Sequence, residues 1–261
     1  MNGAVLQTQF DLLPVEVYPD EYSLGQAAAE AAARALRAAV SRRGQANVIV
    51  ATGNSQLSFY AALRERRDID WAKVSVFHMD EYVGMPADHP ASFRRYLREK
   101  IVDPVHPAAF YGVEGDAADP EQECRRYDAL LRAHPADLCC LGIGENGHLA
   151  FNDPPYAQFD DPVWAKVVKL DAASRRQQVG EGHFAALADV PTLAITVTIP
   201  ALLAAGQVLA IVPEKRKAPA VQATLSGPIS TQCPASILRQ VSHARLYLDV
   251  DSYSQVPVPG D

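Results

Sequence analysis

Three short polar stretches in this 261-residue chain carry residue types that can hold an anion or move a proton. The first is Thr52-Gly53-Asn54-Ser55, directly after an apolar run at 47–51. Hydroxyls and free N–H groups between a strand and a helix N-terminus can cradle a phosphate, because the first helical N–H groups lack partners and the helix dipole is positive there. A plain structural turn uses the same residue types, so the two readings stand level here. The second stretch is Asp80-Glu81-Tyr82, after a strand-like segment at 74–77. Two adjacent acids in that place could cap a helix, ligate a metal or act as a base. The third is the segment 141–154, LGIGENGHLAFNDP, with Gly142, Gly144 and Gly147 among Asn146, His148, Asn152 and Asp153. Donors, acceptors and a histidine are concentrated there on one loop.

Such stretches can act together only if the fold brings them to one edge. Alternation or short apolar runs predict strands at 14–18, 47–51, 74–77, 137–141, 165–169, 193–197, 208–212 and 244–249. Between them lie helical patterns. Ser23 with Gln26 three residues on predicts a capping box for a helix to residue 43, closed by Gly44. Others are expected at 56–66, at 93–102 behind Ser92, at 120–133 behind Asp119, at 172–178, at 199–204 and at 213–225, with one more turn at 235–238. Strands alternating with helices predict an α/β fold: a single doubly wound, mostly parallel sheet with helices on both faces, Rossmann-like in class. The carboxyl ends of its strands, and with them the three polar stretches, would share one edge. One domain is expected over 1–251, with 252–261 as a C-terminal tail.

Composition narrows the partners. A net charge of −7 and a pI near 5.5 speak against a nucleic-acid surface, though a small anion held by a few local cations remains compatible. Cys124, Cys139, Cys140 and Cys233 have no metal-ligand spacing and are expected to be reduced and mostly buried. The histidines show no H-x-H or H-x-x-x-H pair, so no metal is expected. No G-x-G-x-x-G or Walker sequence is present, so no nucleotide cofactor, nor any other, is expected. The first residues lack the basic and apolar regions of a signal peptide, and a cytoplasmic location is expected. The uncharged stretch 190–213 is interrupted by Thr, Pro and Gly and is read as strand, helix and strand, with no membrane span. A homo-oligomer is open to the chain, since an exposed helix face and an interface face look alike in sequence. Cations that could meet a phosphate are Arg175, Arg176, Lys215 and Lys217. Together these features suggest acid–base chemistry on a small phosphorylated molecule.

Ala51-Thr-Gly-Asn-Ser55, Phe77-His-Met-Asp-Glu-Tyr-Val-Gly84, His89-Pro-Ala-Ser92, Gly142 through Pro154 and Lys217-Ala218 follow one another in an order and spacing that resembles the glucosamine-6-phosphate deaminase family, in the group that also holds 6-phosphogluconolactonases. Phe151-Asn152-Asp153 favours the deaminase branch. The resemblance implies conversion of glucosamine 6-phosphate and water to fructose 6-phosphate and ammonium. It implies Asp80 as the base between C1 and C2, with Glu81 and Tyr82 in support, and His148 in ring opening with Asn146 and Asp153 beside it. It implies Thr52, Gly53, Asn54, Ser55, Gly147 and Lys217 as substrate and phosphate ligands, with an arginine of the Arg175-Arg176 pair. Three positions depart from the family pattern: Asn146 stands where aspartate is usual, Asp153 where glutamate is usual, and Asn54 where glycine is frequent. An amide orients an imidazole without supplying charge, so His148 is expected to be neutral, with its relay through Asp153 or water. The alternatives are a lactonase-like hydrolase that uses His148 toward water and a catalytically silent sugar-phosphate binder.

Overall fold

The computed structural model describes residues 3–257. It opens on a hairpin, Leu6–Phe10 (β1) antiparallel to Leu13–Tyr18 (β2). Helix Glu21–Arg43 follows and ends at Gly44, whose φ of 76° is cheap only for glycine. Its N-cap is Asp20, which accepts the Ser23 N–H at 2.7 Å. The cap expected at Ser23 therefore lies three residues earlier, where extended backbone lets a carboxylate reach back to the first turn.

The remaining strands are Ala46–Val50 (β3), Val74–His78 (β4), Asp80–Tyr82 (β5), Ala109–Tyr111 (β6), Leu138–Leu141 (β7), Ala165–Lys169 (β8), Leu193–Val197 (β9), Val208–Val212 (β10) and Ala244–Asp249 (β11). The main sheet runs β1-β2-β11-β10-β7-β3-β4-β6 and is parallel apart from the β1–β2 hairpin. Its central strands β7 and β10 are apolar throughout because both faces are covered. Val48, Val50, Val76, Leu138, Cys140 and Ile211 pack with the helices Glu21–Arg43 and Leu57–Arg64. Ile49, Phe77, Cys139, Leu141, Ala210 and Val212 enter a second core with Tyr127 and Leu131 of helix Pro120–Ala133 and Val221 of helix Ala218–Ser226. The period of two in each strand thus serves two cores, as the doubly wound expectation requires.

One part of that expectation is corrected. Strands β8 and β9 do not join the main sheet; they form a separate antiparallel sheet with β5, in the order β5-β9-β8. The chain leaves the main sheet after His78, and Asp80 pairs with Thr196 after a single intervening residue, Met79. A break that short leaves no mark on hydrophobic periodicity. The stretch expected as a tail begins inside the packed body: Ser252 is buried in helix Val250–Tyr253 and Val256 joins the core. Residues 258–261 lie outside the described residues. Among the described residues no helix is long and apolar enough to cross a membrane.

Strand order reverses between β3 and β7, which are hydrogen-bonded neighbours with Val50 beside Cys140. The loops leaving their carboxyl ends, 51–56 and 142–154, therefore face each other at the switch point, where open α/β sheets form a crevice.

Candidate active site

A cleft lies at this switch point. Thr52, Gly53, Ser55, Asp80, His148 and Lys217 all line it, although they come from segments separated by up to 165 residues of sequence (217 − 52). Asn54, Glu81, Tyr82, Asn146, Gly147, Asp153 and Arg175 are not in its lining. They hold the wall from behind or lie apart.

In the loop after β3, Gly53 takes φ 104° and ψ 161°, a conformation open to glycine at little cost. The N–H groups of Thr52 and Gly53 make no hydrogen bond among the described residues. The Tyr96 hydroxyl donates to the Gly53 carbonyl at 2.8 Å and fixes the loop from outside. Lys217 sits at the start of helix Ala218–Ser226 and is 2 % exposed. Its ammonium makes no hydrogen bond or ion pair among the described residues. Burial pushes its pKa down, opposed by the carboxylate of Glu181.

Asp80 lies on β5 and is 5 % exposed, with its Oδ1 unpaired. Burial first and the neighbouring Glu81 second raise its pKa to about 8. Glu81 has a different task. Its carboxylate is fully buried and accepts the Ser92 hydroxyl at 2.8 Å and the N–H groups of Phe93 and Arg94 at 3.2 and 3.0 Å. It caps helix Phe93–Leu97 and anchors β5. The two acids that looked alike in sequence thus divide into an anchored cap and an unpaired group on the cleft. Tyr82 lies under the floor, its ring tilted by about 45° against those of Phe93 and Phe151 and its hydroxyl donating to Gln178 at 2.8 Å.

His148 is held on one side. Its Nδ1 is 2.7 Å from Asn146 Oδ1, 3.1 Å from Asp153 Oδ1 and 2.9 Å from Ser174 Oγ. The first two can only accept, so Nδ1 carries the proton and Nε2 is the nitrogen left for chemistry. Asp153 is fully buried and also accepts the Asn146 amide at 3.1 Å, the Ser174 hydroxyl and the Asp171 N–H at 3.0 Å. Burial would raise its carboxyl, but the hydrogen bond and charge of His148, then Ser174 and Asp171, outweigh that and hold it at about 2. The charged partner that Asn146 cannot be is therefore supplied by Asp153. Asn146 bridges the two as acceptor to one and donor to the other.

The ring lies flat against the backbone of Gly144. A Cβ there would sit 2.1–2.3 Å from the imidazole atoms Cε1, Nε2 and Nδ1. Gly144→Ala is expected to displace His148 and lower kcat by about 100-fold, the lower end of general acid–base contributions. Inorganic phosphate binding, measured by calorimetry, should remain within about twofold of wild type, because the anion end lies on other segments.

Asn152 is a staple; its amide donates to the Leu149 and Val197 carbonyls at 2.7 and 2.9 Å. Gly147, with φ 83°, backs onto Cys233 rather than the cleft. Arg175 donates to the Leu187 and Val190 carbonyls at 2.6 and 2.9 Å, and Arg176 is exposed. Helix Ala172–Gly180 instead presents Gln177 and Gln178 to the cleft, and Glu181 follows as its C-cap. These three, with Ser174, were not read as site residues. Their pattern is that of any polar helix, and only the fold shows which face is turned inward.

The chain matches the family described as glucosamine-6-phosphate isomerases/6-phosphogluconolactonase over residues 19–248. It is 39% identical over 207 residues to a glucosamine-6-phosphate deaminase of Exiguobacterium sibiricum, covering 78% of this chain and 79% of that protein. A glucosamine-6-phosphate deaminase of Bacillus cereus is 35% identical over 226 residues, covering 87% and 84%. A solved structure of a monomeric glucosamine-6-phosphate deaminase superposes with a TM-score of 0.83 at 29% identity, over 92% of this chain and 99% of that one. With the family matched over residues 19–248 and these relatives aligned over more than three quarters of the chain, this chain belongs to the glucosamine-6-phosphate isomerase/6-phosphogluconolactonase family.

Proposed function

We propose that this protein converts glucosamine 6-phosphate and water to fructose 6-phosphate and ammonium. The observation that carries the reading is a buried carboxyl with an unpaired oxygen, Asp80, on the same cleft wall as a one-sidedly held histidine and an unpaired lysine. Relatives named glucosamine-6-phosphate deaminase support the substrate.

The phosphate binds at Thr52, Gly53, Ser55 and Lys217, through backbone N–H groups, hydroxyls and one ammonium. Asn54 and Gly147 shape the loops behind. Lys217 supplies the positive charge without the arginine expected beside it, since the Arg175 guanidinium is committed to backbone carbonyls. Anchoring at the phosphate fixes the reacting carbons and reduces the entropy that the proton transfers must otherwise lose. His148 Nε2 takes the proton of the anomeric hydroxyl and delivers it to the ring oxygen as the bond from C1 to that oxygen breaks, which opens the sugar. Charge that develops on the imidazole is stabilised by Asp153, with Asn146 holding the geometry. Asp80 then takes the C2 proton of the open aldehyde and returns a proton to C1. The resulting imine at C2 is hydrolysed by water, which leaves the ketone and releases ammonium. A carboxylate with a pKa near 8 is a far stronger base than one near 4, which suits removal of a weakly acidic C–H.

The test is product analysis. Ammonium and fructose 6-phosphate should appear from glucosamine 6-phosphate in equal amounts, and Asn146→Asp should retain the activity. Absence of both products, with hydrolysis of 6-phosphogluconolactone in their place, would overturn the proposal in favour of a lactonase.

A further inference from the structure

The anion end of the cleft contains a carboxylate that a phosphate-binding site does not need. Glu181 follows helix Ala172–Gly180, and its side chain is 3 % exposed. Its Oε1 accepts the Gln177 amide at 2.8 Å and lies 3.0 Å from an Arg216 nitrogen. Its Oε2 faces the phosphate loop: a Cβ placed on Gly53 would be 3.6 Å from it. The Glu181 carbonyl also accepts the Asn54 amide at 3.3 Å, which ties the loop and the helix end together.

One of the two cations here is already engaged. Arg216 meets Glu145 at 3.2 Å and Glu214 at 2.5 Å as well as Glu181. Lys217 is the cleft-lining cation without an ion pair among the described residues, and it lies in the field of Glu181. Burial would raise the Glu181 carboxyl, but His183, Lys217, Arg216 and Gln177 hold it at about 2, so it is an anion at every working pH. A phosphate entering the Thr52–Ser55 loop meets that fixed negative charge across the glycine.

We propose that Glu181 is a built-in counter-anion that weakens the phosphate subsite, and so sets the affinity for the phosphorylated substrate and the ease of product release. The proposal rests on the phosphate-binding reading of the Thr52–Ser55 loop and Lys217. Like charges a few ångströms apart in a partly buried site repel strongly, and the repulsion acts on substrate and product alike. Removing it therefore tightens both, and turnover that is limited by product release slows.

Calorimetric titration with inorganic phosphate tests this on the full chain in a phosphate-free buffer. Glu181→Gln keeps an acceptor for Gln177 and loses the charge. It is expected to lower the Kd for phosphate by about tenfold or more, with a parallel fall in KM for glucosamine 6-phosphate. Glu181→Asp, which draws the carboxylate back by one methylene, should shift both in the same direction by less and serves if the glutamine variant does not fold. Lys217→Met is the control for the underlying reading. If wild-type binding depends on Lys217 but Glu181→Gln binds phosphate no more tightly than wild type, the counter-anion role is wrong and Glu181 acts by ordering Arg216. If Lys217→Met leaves wild-type binding unchanged, the phosphate site itself is misplaced and the inference is lost with it.

Discussion

Asp80→Asn is expected to turn over glucosamine 6-phosphate at least about 10³-fold more slowly than wild type, and to melt several degrees higher at neutral pH. The loss follows from removing the proton carrier itself, toward the upper end of the range for general acid–base groups. The gain in stability follows from the raised pKa. Below about pH 4 the carboxyl is protonated in both folded and unfolded chains and contributes nothing. Between about 4 and 8 the folded chain keeps the proton that the unfolded chain releases, so stability falls with rising pH until the cost is complete above pH 8. Asparagine has no such cost. The difference in Tm between variant and wild type should be near zero at pH 4 and grow toward pH 8, with each kcal/mol worth about 2–4 °C for a chain near this size. A difference that is flat with pH would mean that Asp80 is not a buried, proton-retaining group. The same ionisation should make wild-type kcat/KM rise with pH through about 8, since only the carboxylate can act as base.

Lys217→Met should raise KM for the sugar phosphate by about 10- to 150-fold, as expected for losing a hydrogen bond to a charged group worth about 1.5–3 kcal/mol. Lower kcat should accompany it, because phosphate binding also positions the reacting carbons. Methionine is of similar length and apolar, so the variant removes a buried charge without leaving a large void. Its Tm should equal or exceed that of wild type. A variant with unchanged KM would show that the phosphate lies elsewhere. Asp80 and Lys217 share one physical character: each is a buried ionisable group with an atom left unpaired at the cleft, tolerated at a cost in stability.

Much of this site was legible in the sequence because its parts sit at the ends of strands. The runs at 47–51, 74–77 and 137–141 could be read as strands, and a doubly wound fold puts their carboxyl ends at one edge. Sequence alone therefore places Thr52–Ser55, Asp80 and His148 together. Less legible was what each acid does. Asp80 and Glu81 are neighbours with similar side chains, and only the helix at Phe93–Leu97, folding back onto Glu81, separates the cap from the unpaired group. Asn146 illustrates the opposite limit. Sequence shows an amide where a carboxylate is usual, but not that Asp153 lies 3.1 Å from the same ring nitrogen. The helix at Ala172–Gly180 was read from its arginines, whereas its glutamines face the cleft and Arg175 reaches back to the loop at 187–190. Orientation about a short polar helix is set by what it packs against, and its own pattern does not carry that information.

The proton itself offers the sharpest test. Glucosamine 6-phosphate turned over in D2O, with the product read by NMR, should give fructose 6-phosphate and one ammonium per molecule with the wild type, with deuterium at C1 in the fraction of turnovers in which the proton on Asp80 exchanges with solvent. Asp80→Asn, still bound to the sugar phosphate, should give neither at a comparable rate. Ammonium or fructose 6-phosphate formed by Asp80→Asn as fast as by wild type would contradict the role of Asp80 as the carrier of the proton between C2 and C1.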